Sequence, residues 1–133
     1  MKHIPFSPPD ITEEEIAAVA DALRSGWITT GPRTAAFERE IAAYCGADRA
    51  VCLNSATAAL ELALRALGIG PGDEVITSAY TYTASASVIC HVGATPVLVD
   101  VPSGSFHLSA QDIAAAVTSR TKAVIPVDIA GVM

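Results

Sequence analysis

Residues 74–101 read EVITSAYTYTASASVICHVGATPVLVDV, and the alternation inside this stretch decides the fold. Glu74-Val75-Ile76-Thr77 is short, apolar and β-branched, the pattern of a buried strand. Thr83 to His91 reads as a helix that stops near Gly93, and Pro96 to Val101 as the next strand. The same alternation continues on both sides. Upstream, Ala50-Val51-Cys52-Leu53 reads as a strand and Ala56 to Leu67 as a helix ended by Gly68. Downstream, Ser109 with Asp112 opens a helix running to about Thr118, and Ala123 to Val127 forms a fourth strand, with Pro126 a defect inside it. Strands apolar on both faces and joined by helical crossovers predict an α/β/α sandwich around a mostly parallel sheet.

The first 49 residues have a different character. Thr12 and Glu15 form a capping box, and Glu13, Glu14 and Glu15 suit the positive end of a helix dipole. Ile16, Val19, Ala20 and Leu23 then recur at helical spacing as far as Gly26. After the loop Gly26-Trp27-Ile28-Thr29-Thr30-Gly31-Pro32, a second helix carries Phe37, Ile41 and Tyr44 on one face and ends at Gly46. We therefore divide the chain into residues 1–49, helices and a loop, and residues 50–133, a βαβαβαβ layer.

Composition bounds the function. The chain has 133 residues, 51% of them hydrophobic and 17% charged, with a net charge of −6; an ordinary soluble domain carries about 25% charged residues. The deficit is uneven. Residues 50–133 hold 6 acids and 3 bases, whereas residues 1–49 hold 8 and 5. The eight scattered basic residues offer no phosphate-binding face, which excludes a nucleic-acid partner. Val75 to Val99 lacks any Asp, Glu, Lys or Arg, yet Ser, Thr, Gly93 and Pro96 break it into pieces too short to span a membrane. The N-terminus has no apolar secretory segment. Cys45, Cys52 and Cys90 are odd in number with no close pair, and His3, His91 and His107 are far apart, so neither a disulfide framework nor a metal site is expected. Buried thiols in a reducing, cytoplasmic setting fit this usage.

In open α/β sheets ligands bind at the carboxyl ends of the strands. Asn54 to Ala59 falls there, and its small residues at a helix N-terminus suit an anion such as phosphate, although a plain N-cap explains the same pattern. Ser78 to Thr83 falls there too. It brings Tyr80 and Tyr82, two of only seven aromatics, as rings for a flat cofactor or simply for packing. Asp128 follows the fourth strand, facing the same crevice or capping a further helix. Gly68-Ile69-Gly70-Pro71-Gly72-Asp73 imitates a dinucleotide fingerprint but follows a helix and precedes a strand, the wrong order for a phosphate loop.

Taken together, these segments resemble the N-terminal part of the DegT/DnrJ/StrS sugar aminotransferases. The resemblance is carried by Ser25 to Pro32, Ser55 to Leu60, Ala66 to Ile76, Tyr80-Thr81-Tyr82, Gly93 to Val97 and Thr121 to Val127. It implies the large domain of a fold-type I enzyme that uses pyridoxal 5′-phosphate. It implies that Ala56, where many members have Gly, and Thr57 hold the cofactor phosphate. It also implies that Tyr82 stacks on the pyridine ring, and that Trp27, Thr29 and Thr30 border the active site and a homodimer interface. The implied reaction moves an amino group from glutamate to a keto group of a nucleotide-linked sugar, with UDP-linked 4-keto sugars the expected class. Members usually carry His where Asp128 stands, so that role does not transfer.

The Schiff-base lysine implied by the resemblance has no counterpart here. Lys2 is terminal, and Lys122 opens the fourth strand at the opposite edge of the sheet from the crevice. The lysine, and the carboxylate for the pyridine nitrogen, are expected beyond Met133. With a last strand that lacks its helix, the chain is expected to be a truncated, by itself inactive part of the enzyme. Two other readings stay open: a sugar dehydratase of the same fold with His in place of the lysine, and a non-catalytic module that only dimerises.

Overall fold

The computed structural model describes residues 5 and 7–132, so Lys2, His3 and Met133 lie outside the described residues. The chain divides into two compact units, Met1–Cys52 and Leu53–Met133.

The first unit is helical. Helix α1 spans Glu13–Arg24, and the expected capping box is present, with Thr12 and Glu15 each satisfying the other's backbone donor. The Glu15 carboxyl is held below its ordinary value, chiefly by the hydrogen bond from the Thr12 hydroxyl. Helix α2 spans Pro32–Cys45, with proline in its first turn, where no intrahelical N–H is needed. It ends at Gly46, whose φ of +65° is the left-handed conformation that closes a helix. Only Ala42 of these two helices is buried; Ile16, Val19, Leu23, Phe37, Ile41 and Tyr44 keep their apolar faces open.

The second unit is α/β. Helix α3 (Ala56–Ala66) leads into strand β1 (Glu74–Ser78), helix α4 (Ala84–His91), strand β2 (Thr95–Val99), helix α5 (Ala110–Ala116) and strand β3 (Thr121–Ile125). A 3-10 turn follows at Ile129–Gly131. The three strands are parallel in the order β2-β1-β3. The chain leaves β1 for β2 on one side, then passes back to β3 on the other, so the winding direction reverses about β1. Such a reversal opens a crevice at the carboxyl ends of the strands.

All five residues of β1 are buried, which is why this segment reads as apolar on both faces. With Leu64 of α3, Ile69, Val88, Ile89, Val92, Ala94 and Ile125, Val75 forms the core, and Leu60 and Ala123 pack against it. The edge strands β2 and β3 are only partly covered. Pro96 is tolerated because β2 is an edge strand among the described residues.

Several expectations are corrected. Cys45 and Cys90 are exposed and Cys52 is half-buried, against the buried thiols expected. The strand expected at Pro96 to Val101 runs from Thr95 to Val99. Residues 50–53 form no strand. No described neighbour offers them a ladder, and the Cys52 amide donates instead to the Glu38 carboxylate at 2.9 Å. The strand expected at 123–127 runs from Thr121 to Ile125, so Pro126 follows β3 and interrupts nothing. Its pairing with β1 skips Lys122, a bulge opposite the Glu74/Val75 step. The helix expected to reach Thr118 stops at Ala116, because Thr118 donates its hydroxyl to Glu74 and its amide to the Thr121 hydroxyl.

Among the described residues, Glu74 is the one buried carboxylate. It accepts from the Thr118 hydroxyl at 2.5 Å and pairs with the Arg120 guanidinium. The Glu74 amide donates to the Arg120 carbonyl at 2.9 Å. These bonds tie the start of β1 to the turn before β3, at the amino end of the sheet. They hold the carboxyl below its ordinary value, the Thr118 bond foremost, against the opposing effect of burial.

Candidate functional site

The carboxyl end of β1 and the N-terminus of α3 carry the residues singled out in the second unit. Ser55 caps α3: its hydroxyl accepts from the Ala58 amide at 3.1 Å, and its carbonyl accepts from Ala59 at 3.2 Å. Among the described residues, the Ala56 and Thr57 amides are left with no protein acceptor. The first four N–H groups of a helix, here Ser55 to Ala58, have no intrahelical partner, and the cap hydroxyl satisfies that of Ala58 and leaves those of Ala56 and Thr57. Exposed amides at the positive end of a helix dipole make an anion-binding position. Ala56 is exposed and Thr57 half-buried, with a hydroxyl able to add a third donor.

The structure separates the two tyrosines. Tyr80 packs on Phe106 of the β2–α5 connection, with ring centroids 5.2 Å apart and planes tilted by 32°. Its amide donates to the Ser78 hydroxyl at 3.1 Å, which folds the chain sharply at the end of β1. Tyr82 has no such aromatic partner among the described residues, and 82% of it is exposed. Its carbonyl accepts from the Ser85 amide at the entrance to α4. Packing therefore accounts for Tyr80, and Tyr82 keeps a ring free to stack on a flat ligand.

Asp128 is exposed beyond β3 and makes no side-chain cap to the 3-10 turn that follows it; only its carbonyl accepts, from Gly131 at 3.0 Å. Lys122 stands at the amino end of the sheet, beside Leu67, Gly68, Ile69 and Asp73, away from the crevice. Gly68 to Asp73 only turns the chain: the Gly70 amide donates to the Asp73 carboxylate at 3.0 Å, and the Asp73 amide returns to the Gly70 carbonyl. Among the described residues, no group of three or more His, Cys, Asp or Glu is placed to hold a metal ion. No described helix is long and apolar enough to cross a membrane.

In the first unit, the loop after α1 is closed by its own tryptophan. The Trp27 indole donates to the Thr30 carbonyl at 3.0 Å, and the Trp27 amide donates to the Ser25 hydroxyl at 3.2 Å. The ring lies directly over Gly31, where a Cβ would come within 1.9 Å of Nε1. A cleft of about 240 Å³ remains, lined by Ser25, Trp27, Thr29, Gly31, Pro32 and Arg33. Thr29 and Thr30 are exposed beside it.

One cluster escaped the reading of the sequence. Glu61 on α3 accepts from Arg65 at 2.8 Å and lies 3.0 Å from His91 Nδ1 on α4. The Glu61 carboxyl is held below its ordinary value by these bonds, that from Arg65 first. The Glu61–Arg65 spacing of four residues was readable; the partner thirty positions away was not.

With this geometry in hand, comparison with known proteins is decisive at the family level. Residues 9–133 match the DegT/DnrJ/EryC1/StrS aminotransferase family. The chain is 52% identical over 128 residues to the spore coat polysaccharide biosynthesis protein SpsC of Bacillus subtilis, covering 96% of this chain and 33% of SpsC. Among solved structures it resembles Spr1654 of Streptococcus pneumoniae, assigned as a sugar aminotransferase. In its pyridoxal-phosphate form the identity is 59% and the TM-score 0.93, over 99% of this chain and 34% of Spr1654. The aminotransferase from Psychrobacter cryohalolentis is 39% identical with a TM-score of 0.89, over 97% of this chain and 33% of that one. The chain thus spans about a third of the length of these relatives. The parallel α/β sheet is the fold of these enzymes, as the motifs implied, and the chain belongs to the DegT/DnrJ/EryC1/StrS aminotransferase family.

Proposed function

We propose that this chain provides the phosphate-binding and ring-stacking part of a pyridoxal 5′-phosphate site in a sugar aminotransferase. The observation that carries the proposal is the pair of unaccepted amides at Ala56 and Thr57, with the Thr57 hydroxyl beside them. A dianionic phosphate suits two amides without a protein acceptor and a neighbouring hydroxyl at a helix N-terminus. The free face of Tyr82, entering α4 from the carboxyl end of β1, suits a flat pyridine ring. Support also comes from Spr1654, which is recorded in both its pyridoxal-phosphate and pyridoxamine-phosphate forms.

In this reading the chain's own residues bind and orient. Ala56 and Thr57 fix the phosphate, Tyr82 fixes the plane of the ring, and Trp27, Thr29 and Thr30 border the substrate and the partner subunit of a homodimer. Bound pyridoxal 5′-phosphate supplies the electron sink for amino-group transfer. Lys122, at the amino end of the sheet, is too far from the crevice to serve as the base, so the lysine and the carboxylate for the ring nitrogen come from outside residues 1–133. The 133-residue chain alone is accordingly inactive. The substrate class is a nucleotide-linked keto sugar, with UDP-linked 4-keto sugars preferred, and glutamate is the amino donor. The enzyme works in the cytoplasm, in polysaccharide biosynthesis, the process named for SpsC. Residues 1–49 form the helical and loop segment and residues 50–133 the first part of the cofactor-binding domain.

The test is to incubate the full gene product with glutamate and a UDP-linked 4-keto sugar and follow both products by mass spectrometry. Equal amounts of 2-oxoglutarate and amino sugar are expected. Loss of a sugar hydroxyl without amino transfer would make the enzyme a dehydratase, and no turnover of either kind would overturn the reading.

A further inference from the structure

We infer that the Glu61–Arg65–His91 bridge is a positioning device that sets the rotation of α3 and so aims the Thr57 hydroxyl. This inference rests on the cofactor reading given above. Its starting point is spacing: Thr57, Glu61 and Arg65 are four residues apart in turn and lie along one stripe of α3. Whatever fixes Glu61 and Arg65 against a neighbour fixes the direction of Thr57, one helical turn further toward the N-terminus.

The neighbour is α4. Glu61 shares its carboxylate between the Arg65 guanidinium, at 2.8 Å and 3.0 Å, and His91 Nδ1, at 3.0 Å. Arg65 also makes a long contact of 3.4 Å to the His91 carbonyl, the last residue of α4. A cation there complements the negative end of the α4 dipole. Three side chains therefore join the two helices, from Glu61 in the middle of α3 to Arg65 and His91 at the carboxyl ends of α3 and α4. Both helices have those ends at the amino edge of the sheet, because α3 runs into β1 and α4 into β2 through short turns. Their N-termini accordingly lie together at the carboxyl edge, where α3 carries Thr57 and α4 is preceded by Tyr82. The core contacts of Leu64, Val88 and Ile89 hold the helices together and limit their movement, but the hydrophobic attraction itself has no direction and does not by itself fix the fine rotation of α3. Directed, charge-assisted bonds restrict it.

The experiment uses the full gene product and pyridoxal 5′-phosphate as the probe, read by equilibrium binding and by circular dichroism of the bound cofactor. H91Q and E61Q should each weaken binding by about two- to fivefold, the reach of an exposed side-chain bridge, and alter the dichroism of the bound ring. H91K, whose ammonium can reach Glu61, should return both toward the wild-type values. R24Q, which breaks the exposed Asp21–Arg24 pair of α1, serves as the control and should change neither. Unchanged affinity and dichroism in H91Q and E61Q would overturn the positioning role while leaving the cofactor reading intact. Loss without rescue by H91K would also overturn it. Failure of the wild-type protein to bind the probe would overturn both.

Discussion

Replacing Gly31 with alanine places a methyl carbon where the Trp27 indole now lies. The new Cβ would stand 1.9 Å from Nε1, 2.4 Å from Cδ1 and 2.6 Å from Cε2, so the ring must leave. The backbone is no obstacle. Gly31 is extended, with φ at −168°, and alanine adopts that conformation freely. The indole is 58% exposed and can swing into solvent, which spares the helices. What is lost is the bond from Nε1 to the Thr30 carbonyl, made at 3.0 Å. A hydrogen bond of this kind contributes about 0.5–1.5 kcal/mol net, so the loop should lose about that much stability along with the closed ring position, which the methyl group excludes. Trp27 is the only tryptophan of residues 1–133, so the tryptophan fluorescence of this chain, excited selectively over tyrosine, reports this loop. G31A should show a red-shifted emission and faster acrylamide quenching, with far-UV circular dichroism unchanged. Identical emission and quenching in G31A and wild type would refute the placement of the Trp27 ring over Gly31.

Three further outcomes follow from the packing and the caps. I89A removes a fully buried side chain from the centre of the second unit and should cost about 2–5 kcal/mol in urea unfolding; a loss well below that range would mean the core is not closed there. S55A removes the acceptor for the Ala58 amide and should cost about 1 kcal/mol, with S55G costing only a few tenths; the reverse order would contradict the cap. Glu74 titrates below its ordinary value of 4.5 in the folded chain. Its contribution to stability is therefore full above that value and is lost as pH falls through the lower, folded one. E74Q should accordingly be less stable than wild type near neutrality, with the gap closing in acid, and a gap independent of pH would refute the pairing with Thr118 and Arg120.

The second unit was legible because its signals are local. Gly68 and Gly93 punctuate the pattern, the capping residues Ser55 and Ser109 announce their helices, and Val75-Ile76 is apolar enough to name the central strand. The segment 50–53 misled because a short apolar run states only that it should be covered; a strand also needs a neighbour, and here Glu38 takes the Cys52 amide. The boundary near Thr118 shifted because it depends on Glu74, more than forty positions away, and β3 ends before Pro126, which has no N–H to give to a ladder. At the candidate site, the residues alone left Asn54 to Ala59 as either an anion position or a plain cap, and the family resemblance singled out Ala56, Thr57 and Tyr82; the packing of Tyr80 on Phe106 is a contact that no spacing rule supplies. The α3–α4 bridge was invisible for the same reason, since His91 meets Glu61 only after the chain has passed through β1.

The central claim is that the N-terminus of α3 binds the cofactor phosphate, and the most direct measurement is titration of pyridoxal 5′-phosphate into the full gene product and its T57V variant. Valine keeps the shape of threonine and removes only the hydroxyl. A hydrogen bond to a charged group contributes about 1.5–3 kcal/mol, so T57V should bind the cofactor about 10- to 150-fold more weakly with unchanged folding stability. Equal affinity of the two proteins for pyridoxal 5′-phosphate would contradict the account.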